Sequence, residues 1–113
     1  MRYLEKKGFI ERELERCARA SLMEYPTYSE LGRRVGIPTQ GPWQPVLDAI
    51  ADEADKEKRP DLTFLIRNAS TGYPSRIGRV TKRNPEPWQK ARAREKVQEI
   101  IDKYNPGKPN PYS

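Results

Sequence analysis

The stretch "EYPTYSELGRRVGIPTQGPWQP", residues 24–45, constrains the fold more than any other part of the chain. The residue before a proline avoids helical angles, so a helix arriving from the amino-terminal side must end by Tyr25. Thr27 followed by Glu30 is the capping-box pattern: the threonine hydroxyl accepts from the Glu30 amide while the carboxylate reaches back to the Thr27 amide. A helix therefore starts here and runs only to about Val35, because Gly36 suits a left-handed cap and Pro38 prevents renewal. Tyr28, Leu31 and Val35 share one face of it. A helix this short is unstable alone, so its neighbours must hold it.

Those neighbours can be read from periodicity. Upstream, Ile10, Leu14, Cys17, Ala18, Ser21, Leu22 and Tyr25 recur at helical spacing and predict a support helix over 4–25. Downstream, Pro42 suits a first helical position, and Trp43, Val46, Leu47, Ile50, Ala51 and Ala54 form the apolar stripe of a third helix. "LTFLIRN" has the branched and aromatic content of a strand and "ASTG" that of a turn. Arg76 to Val80 can return as a second strand, at an edge because of Pro74. A basic linker over 81–84 leads to a last helix over 85–104, capped by Asn84 with Pro85 at its first position. Trp88, Ala91, Val97, Ile100, Ile101 and Tyr104 face inward on that helix, and 105–113 is expected as a flexible tail. Trp43 and Trp88 are both expected to anchor the core. The prediction is one mainly α domain with a small β-hairpin: a winged-helix-like module (helix-turn-helix plus wing) over 27–80, flanked by amino- and carboxy-terminal helices.

The chain contains no histidine, which removes serine and cysteine triads and most zinc sites. Its single cysteine, Cys17, has no partner for an internal disulfide and falls where a small buried residue is expected. The glycines are scattered singly, so no phosphate-cradling loop exists. Asp61 lies beside the predicted strand, but no Glu-x-Lys completes a nuclease metal site, and it is read as a turn residue. No catalysis, metal or cofactor is expected. Hydrophobic residues are 35% of the chain and charged ones 34%, without an apolar run of bilayer length. "MRYLEKKGFIERELERC" lacks the apolar centre of a signal peptide, so a cytoplasmic location is expected.

Net charge is +6 and unevenly spread. Residues 48–61 are net acidic, whereas 67–96 are dominated by Arg and Lys, a distribution that predicts a polyanion partner, most simply double-stranded DNA. Arg33 and Arg34 would hold phosphate from the short helix. Gln40 and Gln44, at the start of the third helix, would touch bases, and Tyr28 would wedge or pack at the groove. Arg67, Arg76, Arg79, Lys82 and Arg83 would grip the flanking backbone from the wing and linker. The alternative partner is a protein: the chain would be a small inhibitor or adaptor, of the kind a phage encodes against host defence, aimed at a nucleic-acid-handling enzyme. Its acidic strip from Asp48 to Asp61 would then mimic phosphate.

"TYSELGRRVG", followed by a turn, a helix and an apolar strand, resembles the DNA-binding winged-helix domain of alkylguanine-DNA alkyltransferases and alkyltransferase-like proteins over residues 26–75. That family's helix begins Thr-Tyr-Gly-Glu-(Ile/Leu)-Ala, matched in order by Thr27, Tyr28, Glu30 and Leu31. The resemblance implies that Tyr28 helps rotate a nucleotide out of the duplex. The chain departs from the family at two places. "TQGPWQPVL" lacks the arginine that fills the gap left by the flipped base, and "LIRNAS" stands where the family has its alkyl-accepting Pro-Cys-His-Arg. Alkyl transfer is excluded, leaving a binder.

Overall fold

A computed structural model describes residues 3–113; Met1 and Arg2 lie outside it. A short 3-10 turn over Tyr3–Lys6 leads into α1 (Lys7–Arg19), followed by α2 (Tyr28–Val35), α3 (Trp43–Lys56) and α4 (Pro87–Tyr104). Two further 3-10 turns, Leu62–Leu65 and Ser75–Ile77, lie between α3 and α4.

The capping box forms as the local pattern requires. The Thr27 hydroxyl accepts from the Glu30 amide at 3.2 Å, and Glu30 accepts from the Thr27 amide at 2.9 Å. That backbone amide, ahead of the Thr27 hydroxyl and the Arg67 and Arg34 charges, holds the Glu30 carboxyl below the usual carboxylate range. At the other end Gly36 adopts φ +78°, and its N–H bonds the Gly32 carbonyl at 2.8 Å. Gly32 itself is fixed by a close approach: a Cβ there would meet the Ile37 carbonyl oxygen at 2.6 Å. The α2–α3 turn is closed by the Trp43 indole N–H, which donates to the Thr39 carbonyl at 2.8 Å. Pro45 falls in the first turn of α3, where a missing N–H leaves no ladder bond unmade.

No sheet exists among the described residues, so the small β-hairpin of the expected wing is overturned. Leu62, Thr63, Phe64 and Leu65 are all buried and coil into a 3-10 turn against α1, α3 and α4. Asp61 caps that turn by accepting from the Thr63 amide at 2.9 Å and from its hydroxyl. A run of apolar residues buried on every side satisfies strand and helix composition equally, and here the capped turn wins. Only single bridges remain, from Arg67 to Thr27 and from Arg67 to Pro74. Pro74 has no N–H to extend a ladder, and the chain turns into Ser75–Ile77 instead of returning as a strand.

Further differences have tertiary causes. Helix α1 stops at Arg19, short of Tyr25, because the Asn105 amide donates to the carbonyls of Ala18 and Ala20 at 3.2 and 2.8 Å. Leu22 is consequently 83% exposed. The segment expected as a loose tail lies on the body: Tyr112 meets the rings of Tyr25 and Tyr73, and Asn110 donates to the Arg94 carbonyl at 2.9 Å. Burial pushes the Tyr112 phenol up to about 12.

The core joins Ile10, Leu14 and Cys17 of α1, Leu31 of α2, Val46, Leu47 and Ile50 of α3, the Leu62–Ile66 segment, and Val97, Ile100 and Ile101 of α4. Trp43 anchors it as expected, 6% exposed, with the Tyr3 ring edge-on at 5.5 Å. Trp88 does not. It is 62% exposed, and the inward position one residue on is taken by Gln89, 1% exposed.

Candidate nucleic-acid interface

Gln89 is inward because two backbone groups need its amide. Helix α4 begins with Glu86 as cap and Pro87 at the first position, two residues later than Asn84 and Pro85 would have set it. The Gln89 side-chain oxygen accepts from the Glu86 amide at 2.8 Å, and its nitrogen donates to the Arg79 carbonyl at 2.9 Å. One buried side chain thus closes the helix and pins the loop before it. Along that loop Pro74, Ile77 and Pro85 are buried and Val80 is half-buried against the core. Arg79, Lys82 and Arg83 stand exposed between these pegs.

The pegged loop forms one wall of an open concavity of about 790 Å³. Of the sequence-predicted residues, Tyr28, Gln44, Arg76, Arg79, Lys82 and Arg83 all line it, and no carboxylate does. Tyr28 is half-buried, its ring 5.2 Å from that of Trp43 and its hydroxyl 2.8 Å from Ser75 Oγ, so it is held in place rather than projecting. Arg76 is bound to Asp48 of α3 at 2.9 Å, with its side chain mostly covered. Lys82 meets Glu86 at 3.3 Å in an exposed pair, which water screens strongly.

The remaining predicted residues lie elsewhere. Arg34 pairs with Glu13 and Glu24, each at 3.0 Å, and knits α2 to α1. Glu13 and Glu24 are both held below the usual carboxylate range, first by hydrogen bonds from Arg16. Arg67 donates to the Tyr25 carbonyl at 3.2 Å and sits 3.7 Å from Glu30, so it braces the entry to α2. Arg33 and Gln40 are exposed but do not line the concavity. Sequence reasoning missed Asn68, Ser70 and Thr71, whose side chains complete the polar wall. Their signal was present in "NASTG": Asn68 accepts from the amides of Ser70 and Thr71, at 2.8 and 3.3 Å, as a turn asparagine does.

A second concavity of the same volume lies between α3 and α4. Asp52, Asp55, Asp61, Glu99 and Asp102 line it, interleaved with Lys58, Arg59, Arg92, Lys96 and Lys103, so it carries no single sign of charge. The acidic strip is further spent within the chain, Asp48 on Arg76 and Glu53 on Lys7. Cys17 is fully buried, and desolvation pushes its thiol up to about 11, away from nucleophilic use. Among the described residues no group of carboxylates and thiol is placed to hold a metal ion, and no helix is long and apolar enough to cross a membrane.

No family model matches the chain, and comparisons with curated proteins and with solved structures give no match either.

Proposed function

We propose that this chain binds double-stranded DNA without catalysis, through the concavity between the 74–85 loop and the starts of α2 and α3. Arg79, Lys82 and Arg83 grip phosphates, Gln44 reaches base edges from the first turn of α3, and Tyr28 forms the floor. One observation carries the reading: residues from separate parts of the sequence, at 28, 44 and 76–83, converge on a single concavity without a carboxylate in its lining. Such a lining favours a polyanion, with Arg79 and Arg83 left to meet it where Asp48 and Glu86 pair with Arg76 and Lys82.

The test is fluorescence anisotropy of a labelled random duplex of about 20 base pairs, at several salt concentrations. Wild-type affinity should fall steeply with salt. Replacing Arg79, Lys82 and Arg83 together by Ala should flatten the log–log slope by about 2.7, about 0.9 for each phosphate contact removed. Absence of wild-type binding at low salt refutes the DNA reading and turns the search to a protein partner. Equal slopes for the two proteins refute the assignment of these residues.

A further inference from the structure

Trp88 is the one large aromatic side chain of α4 that the core does not take. Its neighbours along the same line of the helix, Arg92 and Glu95, are exposed and polar, so no apolar stripe accounts for an indole there. The tip of the ring lies near Gly78: a Cβ added to that glycine would stand 3.6 Å from the indole Cη2. Gly78, at φ +101°, lines the basic concavity, and Arg79 follows directly. An exposed indole therefore lies beside the loop that carries Arg79, Lys82 and Arg83. Gln89, its chain neighbour, ties that loop to the same helical turn.

We infer that Trp88 is a stacking platform for an unpaired base, and that the preferred ligand is duplex DNA carrying an extrahelical nucleotide. The inference rests on the DNA-binding reading and deepens it. In a fully paired duplex both faces of every base are covered by its neighbours, and an indole beside the backbone has only edges to meet. An unpaired nucleotide offers its face, while the cations of the adjacent loop would hold the neighbouring phosphates. Charge complementarity selects a nucleic acid over an apolar partner: the indole is a single apolar side chain next to a basic loop, too small for a protein-docking patch.

The experiment compares two labelled duplexes that differ by one unpaired thymine, against the full-length wild type, Trp88→Ala and Trp88→Phe. Wild type should bind the bulged duplex about tenfold more tightly, at the low end of what one aromatic–base stack contributes. Trp88→Ala should lose that preference and keep its affinity for the paired duplex, and Trp88→Phe should retain part of it. Intrinsic fluorescence provides an independent readout, since Trp43 is buried and Trp88 is not: the bulged duplex should quench wild type, and the quench should vanish in Trp88→Phe. If Trp88→Ala leaves the bulge preference intact, or weakens both duplexes alike, the platform is overturned while the basic grip stands. If wild type binds neither duplex, the grip fails and the platform with it.

Discussion

Gln89 offers the sharpest test of how the basic loop is held. Gln89→Leu keeps the side-chain volume and removes both hydrogen bonds, to the Glu86 amide and to the Arg79 carbonyl. Both bonds are only part-buried, so each loss should lie at the low end, about 1 kcal/mol. The expected cost is about 2 kcal/mol. With about 2.1 cal/mol/K of unfolding entropy per residue over 113 residues, this corresponds to a fall of about 8 °C in Tm. Gln89→Glu separates the two bonds, because a carboxylate still accepts from the Glu86 amide but meets the Arg79 carbonyl with repulsion. Urea denaturation gives the stability, and duplex anisotropy under the same buffer gives the affinity. Both variants should weaken DNA binding, although Gln89→Leu changes no charge, since the Arg79 backbone is released in each. A Gln89→Leu protein as stable as wild type would refute the claim that this side chain pins the loop. Unchanged affinity in a destabilised variant would show that the loop keeps its place without it.

Arg34→Ala should cost at most about 1 kcal/mol, since Arg16 continues to pair with Glu13 and Glu24, and should leave DNA affinity unchanged; reduced affinity at equal stability would return Arg34 to the interface. Gly32→Ala should destabilise by about 1–3 kcal/mol despite the higher helix propensity of alanine, because its methyl meets the Ile37 carbonyl; a raised Tm would contradict that close approach. Acid should also destabilise the fold. Glu13 and Glu24, hydrogen-bonded first by Arg16, Glu30 by the Thr27 amide and Glu53 by Lys7 are all held below the ordinary carboxylate value in the native state. Their contribution is complete above the unfolded value of about 4.3 and is lost as pH falls through the lower native values, so Tm should be level near neutrality and drop below about pH 4. A Tm that rises on acidification would contradict these pairings.

The elements legible in the sequence are those that local chemistry settles. Thr27 and Glu30 cap one another, Gly36 ends α2, and the Trp43–Ala54 stripe fills one face of α3; none of these needs a distant partner to be recognised. The misread elements are decided from far away. "LTFLIRN" reads as a strand by composition, yet burial against three helices and the Asp61 cap make it a turn. Trp88 and Gln89 differ by one residue of helical phase, and the choice between them is made by the Arg79 carbonyl, which periodicity does not see. Arg34 and Arg67 look like free cations in the sequence, because Glu13 and Glu30 become their partners only once the helices pack. The Tyr28, Gln44 and 76–83 cluster was legible as residue types, and its convergence on one concavity was not.

A wing built as a β-hairpin takes its rigidity from ladder hydrogen bonds, and this chain reaches a comparable end without one. Between Pro74 and Pro85 the backbone is held by buried prolines, by Ile77 in the core and Val80 against it, and by the Gln89 amide on Arg79. Prolines also restrict the unfolded chain, so ordering this segment costs less than its irregular form suggests. Arg79, Lys82 and Arg83, which stand between the pegs, are long, exposed side chains on a pegged backbone. Ordering on a phosphate would then be confined to side-chain rotamers, which favours binding over a loop that must also order its main chain. The same pegs explain why the positive charge can be concentrated here. Repulsion among Arg79, Lys82 and Arg83 acts on side chains free to spread into water, while the main chain that carries them is held by contacts that do not depend on charge.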